Sequence, residues 1–362
     1  MKIGIVLHPY GEDKPAGLAR TIFELTTGMI AEDRENDYII FLKNKPRVLP
    51  EFSGKNWRIE ILGSGYLWLD RLKTAPRADV YVFNTPVLPL FWRPPKSIAL
   101  ALDFAYLDFP PHGFFGRILN TITYWYHRRS LWRADRIVAI SEATKRETMR
   151  IFHMQAEKID VVRCGFKRVC AVPETRLALP ENFFLFVGIV KERKNVFNVV
   201  RGFNAFQKTH RDYHLVIAGN AVGPYADAIR EYITAEKLEE KIIFPGHMND
   251  GQLSYMYRRA MALVFPSFIE GFGYPVLEGM DCGIPVVTSD QSSLAEVGGD
   301  AALLIDPHRP EAIAGAMARI ADEPGVREEL IKKGHERTKL FSWHKAGREM
   351  TAVCKKVCGS SS

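Results

Sequence analysis

Cysteine is scarce in this sequence: Cys164, Cys170, Cys282, Cys354 and Cys358 are five among 362 residues, with no Cys-x-x-Cys pair. That scatter supports neither a disulfide framework nor a structural zinc site, and it points to a reducing compartment. Cys282 reads as a small core residue. Long hydrophobic runs are also missing. The run Ile3 to Leu7 after Met1 and Lys2 is far too short for a signal peptide, and no apolar stretch approaches the ~20 residues that span a bilayer. A cytoplasmic chain, soluble or peripheral at the inner face of the membrane, is therefore expected. No Gly-x-Gly-x-x-Gly follows the first apolar run, which argues against a dinucleotide oxidoreductase.

What is present is apolar and unevenly charged. Hydrophobic residues make up 47% and aromatics 11%, too much buried material for disorder, collagen or low complexity. At ~150 residues per domain the length suggests two domains. Residues 1–170 hold 26 Lys and Arg against 18 Asp and Glu, whereas the remainder is close to balanced. Much of the excess lies between Arg117 and Arg150, implying a polyanionic neighbour. Trp and Tyr are interleaved with these arginines, which suits an anionic membrane surface better than nucleic acid. Within 114–136, Phe114, Phe115, Ile118, Ile122 and Trp125 recur at helical spacing. They fit an amphipathic helix packed on a sheet with Arg117, Arg128, Arg129, Arg133 and Arg136 in water. A membrane-contacting face is the other reading.

Apolar runs alternate with helical periodicity. Lys2 to Leu7, Tyr38 to Leu42, Val80–Phe83, Ile98–Leu102 and Arg136–Ile140 read as buried strands, with a helix over Gly17 to Ala31. The order implies parallel βαβ units. Residues 171–182 carry two prolines and little periodicity, and the interdomain linker is placed there. The pattern restarts with strands at Phe183–Val187, His214–Ala218, Lys241–Phe244, Ala262–Phe265 and Val286–Thr288. Helices at Asn195–Lys208, Tyr225–Ala235, Gln252–Ala260 and Pro275–Cys282 alternate with them. Two doubly wound α/β domains, 1–172 and 173–340, would face a central cleft at the carboxyl ends of their strands.

The second half carries the chemistry. Phe265 leaves a strand, Glu270 leads into Gly271-Phe272-Gly273-Tyr274, Pro275 opens a helix, and Glu278 follows eight positions after Glu270. The glycines let backbone amides approach an anion held at the positive end of the helix. Two carboxylates beside a phosphate suit hydroxyl hydrogen bonds, as on a ribose and a hexose, so a nucleotide-sugar fits. Earlier, Gly188 turns into Lys191-Glu192-Arg193-Lys194-Asn195, whose Arg193 and Lys194 can neutralise a diphosphate. Asp-x-Asp, a common holder of a divalent metal on a nucleotide-sugar, occurs nowhere; protein cations in place of a metal ion are inferred. Glu270 and Glu278 read otherwise as a cap and a solvated acid, Arg193-Lys194 as an exposed turn, and Asp103 as a cap. His8, His112 and His247 read as loop or core residues, with His8 the best functional candidate among them.

The chain resembles a retaining glycosyltransferase of the large family 4, mannosyltransferase-like and also called glycosyl transferases group 1, with the GT-B fold. Matching stretches run almost end to end: the opening strand with Gly17, Asp103, Ala139 to Glu142, Arg163 to Gly165, Val187 to Asn195, Gly219, Gly246, Glu270 to Glu278, Gly283 to Val287 and Glu296 to Ala301. The resemblance implies an acceptor-binding first domain, with a terminal helix 341–358 packing back on it, and a second domain that binds the donor. It implies that Glu270 contacts the donor sugar alongside the amides of Gly271, Phe272 and Gly273. Glu278 would hold the ribose, and Arg193 and Lys194 the diphosphate. Gly17, Gly188 and Tyr274 would complete the donor loops, and Asp103 the catalytic set. Two positions depart from the family: Leu102 stands where a histidine usually precedes the aspartate, and Ile189 where an arginine often follows the turn glycine. The implied activity is metal-independent hexosyl transfer, GDP-mannose favoured, to a polysaccharide or lipid-linked glycan. A GT-B nucleotide-sugar epimerase and a non-catalytic sugar-nucleotide-binding subunit are the alternatives.

Overall fold

A computed structural model of the chain describes residues 1–8, 10, 18–110 and 113–359. It divides into two units, Met1–Gly165 with Phe341–Ser362, and Phe166–Leu340. Each unit holds one wholly parallel sheet. In the first, the strands are β1 (Lys2–Val6), β2 (Asp37–Leu42), β3 (Trp57–Ile61), β4 (Val80–Phe83), β5 (Ser97–Ala101), β6 (Arg136–Ala139) and β7 (Ile159–Val161), in spatial order β3-β2-β1-β4-β5-β6-β7. In the second they are β8 (Phe183–Val187), β9 (His214–Ala218), β10 (Ile242–Gly246), β11 (Ala262–Phe265), β12 (Val286–Ser289) and β13 (Leu303–Ile305), in order β10-β9-β8-β11-β12-β13. Phe183, Phe184, Leu185 and Phe186 are fully buried, as are all four residues of β11. Unbroken apolar runs are what a strand covered on both faces requires.

The strand orders decide where ligands can sit. In each sheet the chain winds outward from a central strand and then returns to its other side, between β1 and β4 in the first unit and between β8 and β11 in the second. At such a reversal, the loops leaving the two neighbouring strands diverge and open a crevice at their carboxyl ends. The loop after β8 carries Arg193 and Lys194, and the loop after β11 carries Glu270.

Three expectations need correction. The proline-bearing stretch 171–182 is not a free linker, because the division falls ahead of it, after Gly165. Thr175 donates its backbone N–H to the Gly251 carbonyl at 2.9 Å, Ser254 donates to the Val172 carbonyl at 3.1 Å, and Arg259 pairs with Glu174 at 2.8 Å. Prolines and weak periodicity mark irregular backbone, which here is bound to the second unit. Cysteine pairing was also misread: Cys170 and Cys282 form a disulfide across 112 residues of sequence. Neighbour spacing cannot reveal a bond made by tertiary folding, and the ground for expecting a reducing compartment goes with it.

The third correction concerns the helix Phe114–Arg133. Its regular apolar residues face outward: Phe114, Phe115, Ile118, Leu119, Ile122 and Trp125 are all exposed. The inward face carries Tyr124, stacked on the buried Phe152, His127, hydrogen-bonded to Tyr106, and the buried Ser130 and Leu131. Arg129 and Arg133 are not solvated either, since they donate to the carbonyls of Pro89, Leu90 and Trp92. Among the described residues, no helix is long and apolar enough to cross a membrane.

The helix Trp343–Gly359 belongs to the first unit, where it lies against Leu18–Glu32. Two glycines face each other at that crossing. A Cβ on Gly28 would overlap the Trp343 carbonyl, and one on Gly347 would overlap the Gly28 backbone. Gly347→Val is therefore expected to cost at least about 3 kcal/mol in urea unfolding, because backbone cannot yield as a side chain does. Gly315→Ala, with nothing within 4 Å of the new methyl, should instead gain about 0.5–1 kcal/mol. Reduction of Cys170–Cys282 should lower the stability of the second unit by about 2–4 kcal/mol, given the long loop it closes. Thermal unfolding with and without dithiothreitol checks this, with Cys282→Ala expected to unfold early and to be indifferent to the reductant.

Candidate functional site

The second unit's crevice is assembled by loops that hold one another. After β8 the chain makes a short 3-10 turn, Glu192–Lys194, and ends it at Asn195 in the left-handed conformation, φ 60°. Asparagine tolerates that region better than most residues. Its buried side-chain amide donates to the Pro266 carbonyl at 3.0 Å and the Pro307 carbonyl at 2.6 Å, joining three loops. The Phe268 N–H donates to the Arg193 carbonyl at 2.9 Å. The loops after β8 and β11 are thus fixed to each other by backbone before any charge is considered.

Glu270 is the centre of the charges. Its carboxylate accepts from Arg193 Nη1 at 3.0 Å through Oε2 and from Lys194 Nζ through Oε1. Arg193 Nη1 also reaches the Ile269 carbonyl at 3.3 Å, and Lys194 Nζ sits 4.7 Å from the centre of the Phe265 ring. The Glu270 side chain is only 10% exposed. Burial alone would raise its pKa, but Lys194 and then Arg193 outweigh that and hold the carboxyl below its ordinary range. Two cations against one carboxylate leave this group of three with one net positive charge. That surplus lies at the mouth of a parallel sheet, where it suits an anion.

The bend that follows is fastened from below. The buried Ser293 hydroxyl lies 2.8 Å from the Glu270 carbonyl and 3.0 Å from the Phe272 carbonyl, and it can donate to either. Gly273 has φ +108°, and a Cβ there would strike Leu294. The helix Tyr274–Asp281 starts at once, with Pro275 in its first turn. Glu278 on that helix accepts a 3.0 Å hydrogen bond from the hydroxyl of Tyr257, a fully buried side chain on the helix Asp250–Arg259. Burial first, and the neighbouring Glu278 carboxylate second, push the Tyr257 hydroxyl well above its ordinary pKa, so it stays a donor.

Residues 172–337 match the family described as "Glycosyl transferases group 1", and residues 16–167 match "Glycosyltransferase Family 4". The chain belongs to this glycosyltransferase family. It is 31% identical over 224 residues to O-antigen chain mannosyltransferase B from Escherichia coli, covering 59% of this chain and 58% of that protein. The matches span about half to three-fifths of the length of such curated relatives. The fold is similar to that of sucrose-phosphate synthase from Thermosynechococcus elongatus, with TM-score 0.76 and 17% identity over 99% of this chain and 100% of that one. It is also similar to Anabaena HepE, solved in complex with UDP-glucose, with TM-score 0.73 and 14% identity over 98% and 100%. At these identities the likeness is one of fold, and the fold is GT-B.

In this member of the family the expected residues fall into three groups. Arg193, Lys194 and Glu270 converge, with Gly188 at the start of one loop and Gly271, Phe272, Gly273 and Tyr274 in the other. Glu278 lies on the helix that this second loop feeds. Asp103 is in the first unit, where its Oδ1 accepts from the Ala105 N–H at 3.3 Å and turns the chain after β5. Gly17 and His112 lie outside the described residues. His8 lies two residues beyond the end of β1, with its ring edge-on to Trp68 at 4.9 Å, and burial, with Lys43 second, lowers its pKa. Sequence reasoning overlooked Tyr257, Ser293 and the bridging role of Asn195. Only Asn195 left a trace, as the last member of Arg-Lys-Asn.

The pairing has a pH signature. Because the folded pKa of Glu270 is lowered, its stabilising contribution is present above the ordinary carboxylate pKa of about 4.3 and is lost as pH falls through the folded value. Glu270→Gln should cost about 2–3 kcal/mol at neutral pH by leaving two half-buried cations unpaired. Urea titrations across pH should show the gap to wild type closing below about pH 4.

Proposed function

We propose that the chain is a metal-independent, retaining hexosyltransferase that moves mannose from GDP-mannose onto a polysaccharide or lipid-linked glycan. The observation that carries this reading is the surplus positive charge of the Arg193–Lys194–Glu270 group beside a helix start, at a sheet reversal. The matched Escherichia coli relative is named a mannosyltransferase, which favours mannose, and the structure of Anabaena HepE holds UDP-glucose, which favours a nucleotide-sugar of that general kind.

In this reading the donor diphosphate lies over the amides of Gly271 to Gly273, with Arg193 and Lys194 against its oxygens. Glu270 keeps the two cations in place and lowers their net charge. As the bond from the sugar C1 to the diphosphate breaks, charge builds on the departing oxygen, and the fixed cations stabilise it there. The acceptor hydroxyl oxygen bonds to C1 on the same face and passes its proton to the departing phosphate, so the nucleoside diphosphate leaves with that proton. Glu278, oriented by Tyr257, holds the ribose hydroxyls.

A thermal-shift panel of UDP-, GDP- and ADP-sugars, followed by product analysis with the best binder, tests the reading. Glu278→Ala should weaken nucleotide binding by about tenfold or more. Lys194→Ala should slow transfer by about 10²–10³-fold while binding changes less. No shift with any nucleotide-sugar, or unchanged kinetics in both variants, would overturn it.

A further inference from the structure

The disulfide Cys170–Cys282 takes no part in the sugar chemistry proposed above, yet it closes on the helix that carries Glu278. Cys282 caps the carboxyl end of Tyr274–Asp281, and its N–H donates to the Glu278 carbonyl at 3.0 Å. Asp281, beside it, accepts from Arg168 Nε at 3.1 Å. Cys170 sits in the short turn Val169–Ala171, soon after the chain enters the second unit. The same stretch is tied to the helix Asp250–Arg259. Arg258 donates to the Cys170 carbonyl at 2.6 Å, the Ser254 hydroxyl donates to the Val172 carbonyl at 3.1 Å, and Lys167 pairs with Asp250.

On each helix the anchor points and the site residue follow one spacing: Glu278, Asp281 and Cys282 on the first, Ser254, Tyr257 and Arg258 on the second. Positions i, i+3 and i+4 share a helix face. The face that meets residues 168–172 is thus also the face on which Tyr257 donates to Glu278 at 3.0 Å. Of the ties from 168–172 to the Glu278 helix, the disulfide is the covalent one. The Arg168–Asp281 pair uses an arginine side chain that is 73% exposed, and water-facing pairs contribute little. Both cysteines are partly exposed, which leaves the bond open to attack by a thiol.

We infer that Cys170–Cys282 is a redox-responsive brace: intact, it holds Glu278 against Tyr257 for nucleoside diphosphate binding, and a dithiol reductant opens it and weakens that binding. One thiolate of the reductant attacks one cysteine sulfur, and the electron pair of the broken S–S bond leaves on the other, which takes a proton. The reductant's second thiol then displaces the first cysteine from the mixed disulfide. The protein gains two thiols, and the reductant, losing two electrons and two protons, becomes an internal disulfide. The effect on binding rests on Glu278 holding the ribose, as proposed above.

Titration of GDP and UDP into the oxidised and the dithiothreitol-treated chain, at a temperature where both keep their circular dichroism, is the test. Thiols counted by alkylation of the denatured protein should rise from three to five on treatment. The better-bound nucleotide should bind the reduced chain about tenfold more weakly and recover after reoxidation with glutathione disulfide. Amides over 274–282 should exchange hydrogen faster in the reduced chain. Cys170→Ser and Cys282→Ser should each bind as the reduced wild type does, with or without dithiothreitol. Five thiols before treatment, unchanged exchange over 274–282, or a reduced chain without circular dichroism even in the cold overturns the inference. Equal affinity in the two states overturns it and leaves the donor reading standing, whereas no binding in either state fails both.

Discussion

A carboxylate that is nine-tenths buried cannot stand alone, and the second unit is arranged around supplying Glu270 with partners. The cost of removing it from water is met by two cations that arrive on a different loop, from a different strand. That requirement joins the ends of β8 and β11 across the reversal of the sheet. It also explains why so much of the neighbouring hydrogen bonding is between loops: Asn195 to Pro266 and Pro307, Phe268 to Arg193, Ser293 to the bend. Without those ties the two cations would have no fixed address. With them, an anion entering the crevice meets charge already in position, which is the arrangement electrostatic catalysis requires.

The fold was largely legible because its signal is redundant. Phe183–Val187 and Ala262–Phe265 are apolar at every position, and only a strand buried on both faces explains such short unbroken runs. β3, β7 and β13 escaped notice because they are short or lie at sheet edges, where half-exposed residues such as Arg58, Asp160 and Leu304 dilute the pattern. At the site, Arg193, Lys194, Glu270 and Glu278 stood out through residue type and spacing near glycines. Tyr257 and Ser293 did not, since a tyrosine within a helix and a serine at a helix start have ordinary uses, and their partners are distant in sequence.

The two clearest misreadings share a cause. Helical periodicity shows that Phe114, Phe115, Ile118, Ile122 and Trp125 lie on one face, but it contains nothing about which side of the helix the sheet occupies. The usual assumption that the apolar face points inward fails here, because Tyr124, His127, Ser130 and Leu131 fill the inner side. Cys170 and Cys282 likewise carry no local mark of their bond. Pattern reading is strong for properties set by neighbours along the chain and blind to those set by what arrives from elsewhere.

The placement of Trp343–Gly359 in the first unit has a bearing on synthesis. The first unit is discontinuous, whereas the second is one uninterrupted stretch from Phe166 to Leu340. On the ribosome, the later-made unit therefore has all its residues before the earlier-made one does. Until Trp343–Gly359 emerges, Gly28 and its surroundings on Leu18–Glu32 are an open seam, awaiting a partner more than three hundred residues downstream. A ribosome stalled before Trp343–Gly359 would leave a completed second unit joined to a first unit whose Gly28 seam is still open.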